Sequence, residues 1–191
     1  MAGPLRVAFQ GELGAFGDEA IQQLWGGGAE RVPCRDFGAV VAALANGLVD
    51  RAVLPVENSI AGPVLAARAA LDAEPRVRQI DETHVAVHLC LLGVAGATLT
   101  SVRQAFSHPV ALAQCELFFR THSYVTPYPA YDTAGAARDV ASRANPECAA
   151  VANRASAALY GLEILADRIE DHANNSTRFV ALARADTETG A

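Results

Sequence analysis

The chain has 191 residues, 51% of them hydrophobic, which is enough for one ordinary domain or two small lobes with cores of their own. Its formal charge is −6, and all fifteen positive residues are arginines set in no basic run, which argues against a nucleic-acid surface. No stretch approaches the roughly eighteen uninterrupted apolar residues of a membrane span, and the N-terminus has no charged region ahead of a long apolar one; no membrane partner is expected, and the cytoplasm is the expected location.

Short apolar runs alternate with Ala-rich amphipathic stretches, the pattern of α/β units. "LRVAFQ" (5–10) predicts a strand, and "FGDEAIQQLWGGG" a helix stopped by glycines. "DFGAVVAALANG" predicts a second helix with Asp36 as N-cap and Gly47 just past its end. "RAVLPVEN" reads as a strand ending in polar residues, and "AGPVLAARAALDA" as a helix with Pro63 in its first turn. From Val77 to Leu92 a β-rich segment has no helix between its parts, so it is the expected crossing from one sheet to another. Beyond it come the strand "SVRQAF", the helix "SHPVALAQCELFFRTH" capped by Ser107, the strand "YVTPYPAY" and the helix "TAGAARDVASRA". The strand "CAAVAN", the helix "RASAALYG" and the runs "LEILADRI" and "TRFVALA" follow, with a frayed tail expected after them.

"GELGAFG" (11–17) links a strand to a helix and aims backbone N–H groups at a possible anion. It is neither G-x-G-x-x-G nor a Walker loop, and a plain glycine turn explains it as well as a carboxylate cradle does. "PVENSIAG" puts Glu57, Asn58 and Ser59 past the carboxyl end of a strand, where open sheets bind ligands, although Asn58 or Ser59 serves equally as a helix cap. Ser107 opens a helix on which Gln114, seven residues on, shares its face. His84 and His88 are spaced to share a strand face, and the other histidines are dispersed; no metal site is expected. Cys34, Cys90, Cys115 and Cys148 lie in apolar segments without a C-x-x-C pair and read as buried reduced thiols. No G-x-S-x-G elbow supports a Ser-His-Asp hydrolase.

Read together, "VAFQGELGAFGDEA", "LPVENSIAG", "FSHPVALAQC" and "NNSTRFVALA", in this order from about Leu5 to Arg184, resemble the prephenate dehydratase family. The resemblance implies an α/β fold of two small lobes around a cleft, similar to the type II periplasmic-binding-protein architecture. The expected division is 1–80 for the first lobe, 81–168 for the second and 169–191 for the return to the first. It implies conversion of prephenate, the expected small-molecule partner, to phenylpyruvate with loss of carbon dioxide and the ring hydroxyl, a step of phenylalanine biosynthesis. Aromatisation drives that reaction, so no cofactor is expected.

Carried over by the resemblance, Thr177 is the catalytic threonine that donates to the departing hydroxyl. Asn58, Ser107 and Gln114 are expected to orient substrate, Glu57 to shape the hydrogen-bond network, and Ser59 and Phe179 to line the site. In an extended strand Thr177 and Phe179 share one face and Arg178 takes the other, which leaves Arg178 open between substrate ligand and structural residue. The amides of the glycine loop and of "TAGAA", with Thr133, Ala134 and Gly135, are the expected holders of a carboxylate. Gly17, Val110 and Leu89 depart from residues common in the family, at Ser, Gln and His positions respectively. The family usually continues into a regulatory ACT domain that binds phenylalanine; with the sequence stopping at Ala191, feedback by that route is not expected. A homodimer is the expected assembly by symmetry. The alternatives are a prephenate decarboxylase that keeps the hydroxyl, and a non-catalytic binding module of the same fold.

Overall fold

The computed structural model describes residues 3–186. The chain forms two compact units. The first comprises the chain up to Gly11, Phe16–Ala86, and the chain from Ser176 on; the second comprises Glu12–Ala15 and Val87–Asn175.

In chain order the first unit holds β1 (Arg6–Gln10), α1 (Phe16–Trp25), β2 (Glu30–Cys34), α2 (Phe37–Ala45), β3 (Arg51–Asn58), β4 (Gly62–Pro63), α3 (Leu65–Asp72) and β5 (Val77–Ala86). The second holds β6 (Cys90–Gly93), β7 (Gln104–Ser107), α4 (Pro109–Ala113), α5 (Glu116–Thr121), β8 (Thr126–Pro129), α6 (Thr133–Arg143), β9 (Cys148–Ala152), α7 (Arg154–Tyr160) and β10 (Glu163–Ala166). The chain then re-enters the first unit as β11 (Ser176–Arg184).

The first sheet runs β2-β1-β3-β11-β5, with β4 added beside β3. β1 is parallel to β2 and β3, whereas β11 enters between β3 and β5 antiparallel to both. A central strand must be apolar on both faces, and Phe179–Ala183 of β11 are all buried. α2 and α3 close one face over Val40, Leu44, Leu54, Val180 and Leu182. On the other, Ala20 of α1 packs with Val85 and Phe179. Asp36 caps α2 by accepting from the Ala39 N–H at 2.7 Å, and Gly47 follows its end at φ 70°.

The second sheet runs β10-β6-β9-β7-β8. β9, β7 and β8 are mutually parallel, and β6 is antiparallel to β9. β9 is buried along its whole length, and α6 and α7 cover it through Ala136, Val140 and Ala157.

Several expectations shift. The boundary expected after residue 80 falls inside β5, which pairs with β11 through to Ala86, so the crossing begins only at Val87. The return expected at 169 begins at Ser176, because Ile169 N donates to Leu89 O (2.8 Å) and Asp171 N to Gln114 O (2.7 Å), tying that stretch to the second unit. Pro63 belongs not to a helix but to β4, opposite Glu57. The helix expected from Ser107 breaks into α4 and α5; Ser107 ends β7, and the side chain of His108 caps α4 by accepting from Val110 N. His88 lies past β5 and shares no strand with His84. The expected frayed tail lies outside the described residues from 187 on.

Candidate functional site

Thr177 on β11 stands opposite Asn58 on β3, and Arg178 stands opposite Glu57. Paired residues project to the same face, so the pleat sorts these four side chains into two sets. Asn58 and Thr177 are buried. The Asn58 amide donates from Nδ2 to Thr177 Oγ1 at 2.9 Å and to the Ser176 carbonyl at 3.2 Å. Its Oδ1 accepts from Ile60 N (3.0 Å) and Ala61 N (2.8 Å), holding the turn that follows β3. Ser59 closes the same corner: its N–H donates to Ser176 O, and its hydroxyl accepts from Ser176 N, both at 2.9 Å. Because Asn58 donates, the Thr177 oxygen is the acceptor of the pair and the hydroxyl's own proton is left to donate. A donor bonded to that oxygen polarises the hydroxyl and makes it a stronger donor in turn.

The other face carries charge. Arg178 pairs with Glu57 at 3.2 Å and Glu82 at 3.1 Å, and Arg68 of α3 reaches Glu57 at 3.5 Å. Arg178 therefore fills a cross-strand ion ladder, and Glu57 does not share a face with Asn58. Phe179, expected to line the site, is instead 4% exposed and packs with Val85 and Ala20 in the interior.

In the second unit Ser107 is fully buried, and its hydroxyl donates to the Val151 carbonyl at 2.6 Å. Gln114 does not share a helix face with it, since it ends α4 as C-cap. The two expected anion cradles meet each other. Asp132 caps α6, and its carboxylate accepts from Gly135 N at 3.0 Å and from Glu12 N, in the glycine loop, at 3.2 Å. The anion at this helix start is thus the protein's own, beside the expected Thr133 and Ala134. Burial pushes the Asp132 carboxyl above its ordinary range, against the opposing pull of those N–H groups. Residue 135 is glycine where a Cβ would run into the Tyr131 ring. The Tyr131 hydroxyl donates to Glu12 at 2.8 Å, Arg138 pairs with Glu12 at 2.8 Å, and Tyr160 and Ser156 donate to the Leu13 and Gly14 carbonyls at 2.7 and 3.1 Å.

Asn153 is absent from the expected set. It follows the apolar run of β9 as Asn58 follows that of β3, which is the signal that could have singled it out. It caps α7, with Oδ1 accepting from Ser156 N at 3.0 Å, while its buried Nδ2 has no acceptor among the described residues. Such an orphan costs about 1–3 kcal/mol. Among the described residues no group of three or more His, Cys, Asp or Glu could hold a metal ion, and no helix is long and apolar enough to cross a membrane.

The prephenate dehydratase family model matches residues 7–187. The chain is 39% identical over 180 residues to "Arogenate dehydratase/prephenate dehydratase 2, chloroplastic" of Arabidopsis thaliana, covering 94% of this chain and 46% of that protein. It is 39% identical over 184 residues to a "Bifunctional N-acyl-homoserine lactone acylase/prephenate dehydratase" of Komagataeibacter europaeus, covering 96% of this chain and 64% of the relative. The chain thus spans about half the length of the plant relatives it matches. The solved prephenate dehydratase of Arthrobacter aurescens in complex with L-Phe superimposes with a TM-score of 0.88 at 29% identity, over 98% of this chain and 63% of that one. A nutrient-binding protein of Burkholderia cenocepacia bound to methionine shares the fold alone, with a TM-score of 0.50 at 13% identity over 95% of this chain and 85% of that one. The chain, with its two α/β units and its Asn58–Thr177 pair, belongs to the prephenate dehydratase family.

Proposed function

We propose that the chain is a carbon–oxygen lyase, a dehydratase that removes the ring hydroxyl and the ring carboxylate of prephenate together to give phenylpyruvate. Arogenate, with an amino acid where prephenate has a keto acid, presents the same leaving groups to the same donor. The observation that carries this reading is the 2.9 Å bond from Asn58 to Thr177 Oγ1, which leaves the threonine proton to be given to another oxygen. A hydroxyl is a feeble acid, so its contribution is a placed hydrogen bond to charge developing on the departing oxygen. Aromatisation supplies the driving force, and the enzyme needs only to hold the ring while carbon dioxide leaves.

The test is incubation of purified protein with prephenate, and separately with arogenate, following phenylpyruvate, phenylalanine and carbon dioxide. Aromatic product supports the dehydratase. Carbon dioxide without aromatic product means a decarboxylase that keeps the hydroxyl, and saturable binding without turnover means a binding module.

A further inference from the structure

β9 runs parallel to β7 with Ala105 opposite Ala149 and Phe106 opposite Ala150. That register sets Ser107 level with Val151, where its hydroxyl bonds the Val151 carbonyl. Side chains alternate along a strand, so Asn153, with extended backbone (φ −77°, ψ 169°), stands one repeat beyond Val151 on the face that carries Ser107. Both residues sit at the carboxyl ends of parallel strands, the edge at which open α/β sheets hold their ligands.

The Asn153 amide has two ends with different fates. Its oxygen accepts from Ser156 N, which also fixes which end is nitrogen. The nitrogen is enclosed, on a residue only 5% exposed, and no described group accepts from it. Capping does not explain it, because Ser or Asp caps a helix as well without leaving a donor inside. We infer that Asn153 is a substrate-binding residue whose Nδ2 donates to a carbonyl or carboxylate oxygen of the substrate. A neutral donor suits an enclosed place: it meets an oxygen acceptor without the cost of burying a charge.

This inference rests on the dehydratase reading, and the experiment separates the two. Asn153→Ser keeps the cap and deletes the amino group; Asn153→Asp keeps cap and shape and replaces the donor by an acceptor. Steady-state kinetics on prephenate and arogenate are measured beside thermal unfolding without substrate. The expected result for Asn153→Ser is KM raised about tenfold, the worth of one hydrogen bond to an oxygen, with kcat little changed and a ligand-free Tm equal to or above the wild type's. Asn153→Asp raises KM at least as far. An unchanged KM in both variants, with or without a lowered Tm and an apparent kcat falling in proportion to the folded fraction, overturns the inference and leaves the dehydratase reading standing. A wild type that turns over neither acid overturns that reading, and this one with it.

Discussion

Thr177 and Arg178 are neighbours in the chain yet belong to opposite faces of β11: the first is hydrogen-bonded to Asn58 at 2.9 Å, the second ion-paired with Glu57 at 3.2 Å. One dipeptide thus presents a buried hydroxyl to one face and an ion-paired cation to the other, and the pleat keeps them apart. The two roles separate cleanly in variants.

If Thr177 is the donor of the proposed dehydration, Thr177→Ala is expected to lower kcat by about 10²–10³. Thr177→Ser restores a hydroxyl without the methyl and retains a measurable part of the rate. Single-turnover measurements on both variants check this, and an alanine variant as fast as wild type would remove Thr177 from the chemistry.

Asn58→Asp reverses the pair. The hydroxyl then donates to a carboxylate and its proton is no longer free for substrate, so kcat drops toward the Thr177→Ala value while the turn after β3 keeps its acceptor. Asn58→Ala loses the bonds to Ser176, Thr177, Ile60 and Ala61, and urea unfolding should show a stability loss of about 1–3 kcal/mol as well.

Arg178→Met tests the ion ladder. Partly exposed pairs of this kind contribute about 0.2–1 kcal/mol each, so a small fall in stability with KM within about twofold of wild type is the expected outcome. A KM raised tenfold or more would make Arg178 a substrate ligand.

Asp132 sets a pH dependence of known sign. Burial raises its folded pKa above the unfolded value, so the stabilising contribution is fully present below the unfolded value and is lost as pH rises through the folded one. Asp132→Asn keeps an oxygen for the Gly135 and Glu12 N–H groups but cannot ionise. Thermal unfolding from pH 4 to pH 8 should show the wild type losing stability across the acidic part of that range relative to the variant.

The thiols should be differentially inert. Burial pushes the Cys115 thiol far up and Cys90 to about 11, and Cys90 also donates to Asp167 at 3.1 Å. In the native protein a disulfide reagent at pH 8 should titrate Cys34 alone, which is partly exposed, and slowly, since burial and Asp36 raise its pKa too. All four should react in denaturant; four fast equivalents from the native protein would contradict the burial.

Much of the architecture was legible because its signals are local. Asp36 ahead of the Ala-rich apolar stretch and Gly47 just past it marked α2, and the apolar run Ala52–Leu54 followed by the polar Glu57–Asn58 marked β3. What escaped depended on partners distant in sequence. Pro63 sits after Gly62 like a helix opener, yet pairing with Glu57 makes it strand. Ser107 has the look of a cap, but β9 takes its hydroxyl, and His108 inherits the capping. The pairing of Thr177 with Asn58 spans 119 residues and follows from the antiparallel entry of β11 between β3 and β5, which no local pattern announces. Glu12 and Asp132, 120 residues apart, are likewise brought together only by the fold.

The assignment of Glu12–Ala15 to the second unit means that the polypeptide changes unit four times rather than twice. A fragment cut at the obvious seams, 87–175, would therefore be a broken piece: Tyr131 and Arg138 would lose the Glu12 carboxylate, and Tyr160 and Ser156 the Leu13 and Gly14 carbonyls. Anyone dissecting this chain into autonomous halves would have to graft that tetrapeptide onto the second half, as a circularly permuted extension or an added peptide, before it could be asked to fold.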